Sequence, residues 1–365
     1  MDFFLDITSD NVEAVLVNNA DEEGLKALAE EGMSFYKDSH PVRIAARANS
    51  APDVVFDTAQ LKKYQKLWAP LDGRFQSGDL HYCLTIIPTP SDAELDGMEY
   101  EEYMCLFFEA SDQPWDEIEK AQEKLIEKLD QGKEIRITND DGTDLTFNIE
   151  GQTFANSVTL KNVPGSEAFT GPVRERVNGT LVAKGRFKFG NYQIMEDITL
   201  KFKDGRVCEC DARVGREVLE KIVTMDDGNG EGTRFAGELG IGTNPHLRKH
   251  LMNSLLVEKI GGSFHIALGT AYQYERYNDR PVKVDNGNRS ASGTHWDITT
   301  ILGGKGGRMI LDGKVIQKNG VWVGEDEETP DEELAVLNKG WGALPEENQP
   351  DWWKNRYPQG YATEV

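Results

Sequence analysis

Cysteine is scarce in this chain. Four of its 365 residues are cysteines, too few for a disulfide framework in a protein of this length. Cys208 and Cys210 form a Cys-x-Cys pair in a strand-like run, where we expect them to share one face with Ala212 and to pack rather than bind metal. Cys83 and Cys105 lack the basic neighbours that make a thiol reactive, so no cysteine chemistry is expected.

Long apolar runs and basic patches are also missing. No stretch reaches the roughly 20 apolar residues of a membrane span, and no signal-peptide segment follows Met1. The formal net charge is −23, and the nearest approach to a basic patch is the short run 248–250 (RKH), so a nucleic-acid backbone would be repelled. These absences predict a cytoplasmic protein that binds neither membranes nor nucleic acids.

Common nucleotide-binding and nucleophile motifs are absent as well. No GxGxxG opens a helix, and neither a Walker A lysine motif nor a GxSxG elbow occurs. The run 303–308 (GGKGGR) has no Ser or Thr after its lysine, so a flexible turn is the better interpretation.

The remaining pattern predicts a mixed α+β protein in three parts. Residues 1–131 alternate between strand-like and helical segments, which is typical of an α/β domain with a partly parallel sheet. Residues 132–323 read as short strands and turns, with a hairpin signal at 139–142 (NDDG), and predict an antiparallel β-rich domain of barrel or sandwich type that binds metal. Residues 324–365 form an acidic linker and a Trp- and Pro-rich tail, which would cover its own subunit or dock onto a partner.

Two of the six histidines lie in apolar, strand-like runs. His265 stands in FHIAL, and His295 precedes Trp296 and Asp297. An imidazole in a half-buried strand needs a partner, and a divalent metal is one such partner. For either histidine alone, a core imidazole hydrogen-bonded to a carboxylate or the backbone is the simpler interpretation. The HxD spacing puts His295 and Asp297 on one face of a strand and, with the acids upstream, favours a metal site.

Three further acids extend this set. Glu238 stands in the small, apolar run GELGIG, where it is either buried with a positive partner or exposed in a glycine-rich turn. Glu167 lies in a loop bracketed by Gly and Pro, where surface exposure is the ordinary expectation. Glu258 precedes Lys259, so an ordinary ion pair remains open. Together, four carboxylates and two imidazoles suffice for a two-metal hydrolytic site that holds Zn, Co or Mn.

The same segments resemble the metallo-aminopeptidase family of aminopeptidase T and aminopeptidase S. The resemblance spans roughly residues 40–323 and rests on segments that follow one another in the family's order: 142–145 (GTDL), 167–172 (EAFTGP), 237–244 (GELGIGTN), 258–269 (EKIGGSFHIALG) and 295–297 (HWD). It implies an enzyme with two divalent metals that removes N-terminal residues from peptides, and a homodimer with an enclosed site. The first α/β segment is shorter than usual for the family, and the Trp-rich tail is not a family feature.

Carried over residue by residue, the resemblance implies metal ligands at Glu167, Glu238, His265, His295 and Asp297, with Glu258 also at the site. It further implies that Tyr272 donates a hydrogen bond to the developing oxyanion and that Glu238 or Glu258 handles the proton. We therefore expect a metal-dependent aminopeptidase acting on short peptides. A non-catalytic binding protein on the same fold, and another metal-dependent amidase or esterase, remain open alternatives.

Overall fold

The computed structural model describes residues 10–34, 42–48, 54, 57–77, 80–190 and 193–361. Within these ranges the helices are α1 (Asp10–Asn19), α2 (Glu22–Ser34), α3 (Thr58–Leu67), α4 (Ala69–Ser77), α5 (Pro90–Leu95), α6 (Tyr100–Ser111), α7 (Trp115–Leu129), α8 (Arg216–Val223), α9 (Ser254–Val257), α10 (Ala335–Lys339) and α11 (Asp351–Arg356). The strands are β1 (Val42–Arg47), β2 (His81–Ile86), β3 (Glu134–Thr138), β4 (Asp144–Asn148), β5 (Ala155–Ser157), β6 (Asn162–Val163), β7 (Glu167–Thr170), β8 (Val177–Phe189), β9 (Gln193–Lys203), β10 (Arg206–Val214), β11 (Ala236–Gly242), β12 (Ser263–Gly269), β13 (Arg276–Tyr277), β14 (Arg280–Pro281), β15 (His295–Ile301), β16 (Arg308–Leu311), β17 (Lys314–Lys318) and β18 (Val321–Trp322).

The N-terminal part has a small parallel sheet and its own helical cluster. Strands β1, β2 and β6 lie in that order, and both pairings are parallel. Helices α1 to α4 bury a separate cluster that includes Leu25, Met33 and Tyr64. Helix α3 begins where Asp57 accepts hydrogen bonds from two backbone amides of its first turn. The predicted α/β character of this part is confirmed.

Two open sheets form the β-rich part. The larger is antiparallel with the order β10-β9-β8-β4-β3-β16-β17-β18, and the smaller has the order β15-β12-β11-β7-β5. In β3 and β4 buried and exposed positions alternate, as expected when one face of a sheet meets solvent. The buried faces share one core, in which the rings of Phe147 and Phe264 meet edge to face at 6.3 Å. No closed barrel forms among the described strands, so the arrangement is a sandwich.

A β-bulge changes the expected role of the Cys-x-Cys pair. The register between β10 and β9 shifts between Val207 and Glu209. Cys208 is exposed, whereas Cys210 is half-buried against the core and Ala212 is buried. The prediction that Cys208 shares their face was wrong, because one extra residue in a strand reverses the alternation of side chains.

The C-terminal tail packs on its own chain. Trp353 is 1% exposed and packs against Tyr357 and Tyr361, at ring distances of 4.9 and 4.6 Å. Arg356 and Tyr357 both bond to Glu109 of α6, at 2.6 and 3.2 Å. Of the two roles expected for the tail, the structure therefore shows packing on its own subunit.

Two elements connect the N-terminal part with the β-rich part. Helix α7 contributes Ile118 and Leu125 to the core of the sandwich, and β6 joins the N-terminal sheet. The predicted division of the chain after residues 131 and 323 stays a prediction. In the described part of the chain, no helix combines the length and apolar character needed to cross a membrane.

Candidate metal centre

Four neighbouring strands bring the predicted ligands to one face of the smaller sheet. Strand β11 carries Glu238 and pairs with β7, which begins at Glu167, and with β12, which carries His265. Strand β15 pairs with β12 and carries His295 and Asp297. Side chains two residues apart lie on the same face of a strand. The cross-strand register therefore places the five predicted side chains of β7, β11, β12 and β15 on one face.

A glycine makes room for the central imidazole. Gly240 lies directly opposite His265 in the paired strands. A Cβ atom at Gly240 would lie 2.0 Å from His265 Nε2, far inside van der Waals contact. The glycine-rich sequence around Glu238 thus allows the imidazole to lie over the neighbouring strand and to reach the carboxylates.

The imidazole nitrogens and carboxylate oxygens of these side chains lie 3.1 to 4.0 Å apart. His265 Nε2 lies 3.1 Å from Glu238 Oε1, 3.6 Å from Glu167 Oε2 and 4.0 Å from Asp297 Oδ1. His295 Nε2 lies 3.6 Å both from Glu238 Oε2 and from Asp297 Oδ1. Three overlapping groups each place three ligand atoms within 4.8 Å of one another: Glu167, Glu238 and His265; Glu238, His295 and Asp297; Glu258, His265 and Asp297.

Unpaired oxygens show that the donor set fits a divalent metal. Glu167 Oε2, Glu238 Oε2 and Asp297 Oδ1 are buried without a hydrogen-bond donor. Buried carboxylate oxygens are costly unless a donor or a cation satisfies them. His295 Nδ1 bonds to the carbonyl oxygen of Thr270 at 2.7 Å, which assigns the proton to Nδ1 and turns the lone pair of Nε2 towards the carboxylates. Metal-ligating histidines are commonly held in this way.

The electrostatics of the centre favour positive charge. Burial alone would lower the pKa of His265, but the hydrogen bond to Glu238 and the charges of Asp297 and Glu167 raise it to about 9. Burial raises the pKa of Glu238. A field that retains a proton on a fully buried imidazole also stabilises a bound cation.

Lys259 is a member of the site that the sequence analysis considered only as an ordinary partner of Glu258. Its side chain is fully buried, and its Nζ lies 2.5 Å from Glu167 Oε1 and 2.7 Å from Glu258 Oε1. Glu258 follows the short helix α9 rather than lying in a strand, and burial raises its pKa to about 8. Glu258 thus forms the ion pair with Lys259 and also lies within 4.8 Å of ligand atoms of His265 and Asp297, while its role as a ligand stays a prediction. A lysine inside the apolar run LLVEKIGG was the signal available in the sequence.

Tyr272 lies at the edge of the cluster, in the loop that follows β12. Its ring is 4.7 Å from that of His295, stacks on Tyr274 at 5.3 Å, and meets Phe169 at 5.7 Å. Although 40% of the residue remains exposed, surrounding protein and the charge of Glu238 raise the pKa of its phenol well above 10. Its hydroxyl is therefore a hydrogen-bond donor at neutral pH.

Comparison with known proteins decides the family. The family model described as thermophilic metalloprotease (M29) matches residues 3–322. The chain belongs to the M29 family. The predicted resemblance is confirmed, and so is the prediction that the chain is a metal-dependent peptidase.

Individual relatives of this M29 chain are aminopeptidases by name. Aminopeptidase AmpS of Bacillus subtilis is 26% identical over 339 residues, which cover 82% of this chain and 79% of that protein. Aminopeptidase T of Thermus aquaticus is 31% identical over 172 residues, which cover 43% of this chain and 41% of that protein. The solved structure of wild-type AmpT from Thermus thermophilus shares the fold, with a TM-score of 0.66, 24% identity, and coverage of 86% of this chain and 85% of that one.

Proposed function

We propose that this protein is an aminopeptidase that hydrolyses short peptides at a centre holding two divalent metals, either Zn, Co or Mn. The proposed ligands are Glu167, Glu238, Glu258, His265, His295 and Asp297. The observation that carries the proposal is the convergence of buried carboxylate oxygens that have no donor with the Nε2 atoms of two histidines. Two overlapping groups that share Glu238 support two metals rather than one, because one carboxylate can bridge a pair of cations. A homodimer and a cytoplasmic location remain predictions.

Bound divalent cations would lower the pKa of the attacking water and polarise the scissile carbonyl. In this proposal Tyr272 donates a hydrogen bond to the oxyanion that develops on that carbonyl, because its hydroxyl keeps its proton and its ring lies beside His295. Glu238 or Glu258 accepts the proton of the water and passes it to the departing amine.

The groups present at the site support action at a free N-terminus. Four carboxylates lie at the cluster. Lys259 forms ion pairs with two of them, Glu167 and Glu258. Two divalent cations would balance the four carboxylates, so the free α-amino group of a peptide would bind as a ligand of a cation or as a donor to a carboxylate, whereas the nitrogen of an N-acetylated peptide is a poor ligand.

The direct test is release of chromophore from a panel of aminoacyl-anilides, in protein that has been stripped with a chelator and then given Zn, Co or Mn. We expect no turnover in chelator, recovery with metal, and no cleavage of N-acetylated substrates. Elemental analysis should find metal in the wild-type protein and much less in His265→Ala, since His265 is central to two of the three groups.

Other outcomes would favour the alternatives. Turnover that survives the chelator would rule out the proposal. Bound metal without turnover of any anilide, together with cleavage of esters or simple amides, would identify another metal-dependent hydrolase. Neither metal nor turnover would leave a non-catalytic binding protein.

A further inference from the structure

One buried lysine near the site has no carboxylate partner. Lys161 directly precedes β6 and is 9% exposed. Its Nζ lies 4.4 Å from the centre of the Tyr82 ring and 5.9 Å from that of Tyr274. No carboxylate among the described residues forms an ion pair with it, and burial lowers the pKa of its ammonium group. Since a buried ammonium without an anion is costly, its retention beside these rings points to an anionic ligand.

A row of aromatic rings connects this lysine to the candidate metal centre. Tyr272 lies beside His295 and stacks on Tyr274, whose hydroxyl lies 3.2 Å from that of Tyr82. The charges of Lys259, Glu167 and Glu258 also act on Tyr82. The row runs from the ring of His295 to that of Tyr272 at 4.7 Å, on to Tyr274 at 5.3 Å, and from Tyr274 to the Nζ of Lys161 at 5.9 Å.

We propose that Lys161 binds a carboxylate on the leaving side of the peptide substrate, and this proposal rests on the aminopeptidase function proposed above. The candidate metal centre lies at one end of this row of rings, and at the other end lies the ammonium group of Lys161, which has no carboxylate partner among the described residues. An extended peptide spans about 3.3–3.6 Å per residue, so a few residues beyond the scissile bond would reach Lys161. The tyrosine row provides an apolar wall along which the peptide lies.

The net negative charge of the protein also bears on the role of Lys161. With 63 acidic and 40 basic residues, the protein repels a peptide carboxylate at long range. A local cation such as Lys161 would therefore help to hold a carboxylate beside these rings. Lys161 would select short peptides with a free C-terminus, or peptides with an acidic side chain after the first residue.

The experiment compares kcat/KM for paired substrates on wild type and Lys161→Met. The first pair is a tripeptide with a free C-terminal carboxylate and its C-terminal amide. The second pair consists of dipeptide amides with Asp or Asn as the second residue. We expect wild type to prefer the charged member of at least one pair by about 10- to 100-fold, the range of a charge-assisted hydrogen bond. Lys161→Met should lose most of that preference, mainly through KM.

The outcomes separate the source of the carboxylate, the role of Lys161 and the proposed aminopeptidase function. The pair that shows the preference identifies the source of the carboxylate. Lys249→Met, which removes an exposed lysine paired to Glu102 at 3.4 Å, should keep the wild-type ratio. If the ratio of kcat/KM between charged and uncharged substrates is unchanged in Lys161→Met, or if wild type shows no preference, the role of Lys161 is overturned. Cleavage of aminoacyl-anilides by the same protein would still uphold the aminopeptidase function. Absence of anilide turnover in metal-loaded wild type would instead overturn the proposed function. If Lys161→Met has a clearly lower melting temperature than wild type, Lys161→Gln provides the same comparison.

Discussion

Replacing Lys259 by Met should destabilise the metal-free protein strongly. The buried ammonium of Lys259 contacts Glu167 and Glu258, and Glu238 and Asp297 lie in the same cluster. Met preserves most of the apolar stem but removes the charge, so two buried carboxylates lose their counterion. Removing one partner of a buried ion pair typically costs about 3–5 kcal/mol of unfolding free energy. At a urea m value of about 3 kcal/mol/M, the midpoint of unfolding should fall by roughly 1–1.7 M.

The assay is urea unfolding at pH 7, followed by circular dichroism, with chelator and with excess divalent metal. The difference between wild type and Lys259→Met should be largest in chelator and should narrow when metal is added, because a cation supplies the missing positive charge. Lys249→Met is the matched control: its ion pair with Glu102 is about half exposed, so its loss should change stability by at most about 1 kcal/mol. Equal midpoints for wild type and Lys259→Met in chelator would refute the argument that Lys259 neutralises this cluster.

Three further predictions concern the oxyanion donor, the tail and the pH dependence of stability. Tyr272→Phe keeps the ring stacked on Tyr274 but removes the hydroxyl, so steady-state kinetics should show kcat lowered by about 10²- to 10³-fold with little change in KM; an unchanged kcat would exclude the proposed role. Trp353→Ala should lower the free energy of unfolding by about 3–5 kcal/mol, measured by denaturant titration, and an effect below 1 kcal/mol would mean that the tail contributes little. Burial raises the pKa of Asp96 from 3.8 to about 6. Because the folded state then binds the proton more tightly than the unfolded state, stability should fall as the pH rises from about 4 to 6; Asp96→Asn, which keeps an acceptor for the backbone amide of Met252, should flatten that slope in a pH series of melts.

Much of the architecture could be predicted from the sequence because it is encoded locally. The hairpin signal at 139–142 lies between β3 and β4, which pair as expected. The alternation of strand-like and helical segments indicated the mixed N-terminal part, and the switch to short strands and turns indicated an antiparallel β-rich part, for which a barrel and a sandwich both remained open. The short runs around Glu238, His265 and Asp297 carried the resemblance to the family, and each combines a candidate ligand with the small or apolar residues that a buried strand needs.

Other features depended on the tertiary structure because they join residues that are distant in the chain. Lys259 meets Glu167 across 92 positions, and no local pattern states that a lysine will occupy the same buried space as an acid so far upstream. The bulge that exposes Cys208 reflects the pairing of two strands rather than the composition of one. The proposed role of Lys161 depends on its position beside the rings of Tyr82 and Tyr274, which lie in other segments of the chain. Periodicity in a sequence determines which face of an element is buried, whereas the packing of elements against one another determines which charges share that buried space.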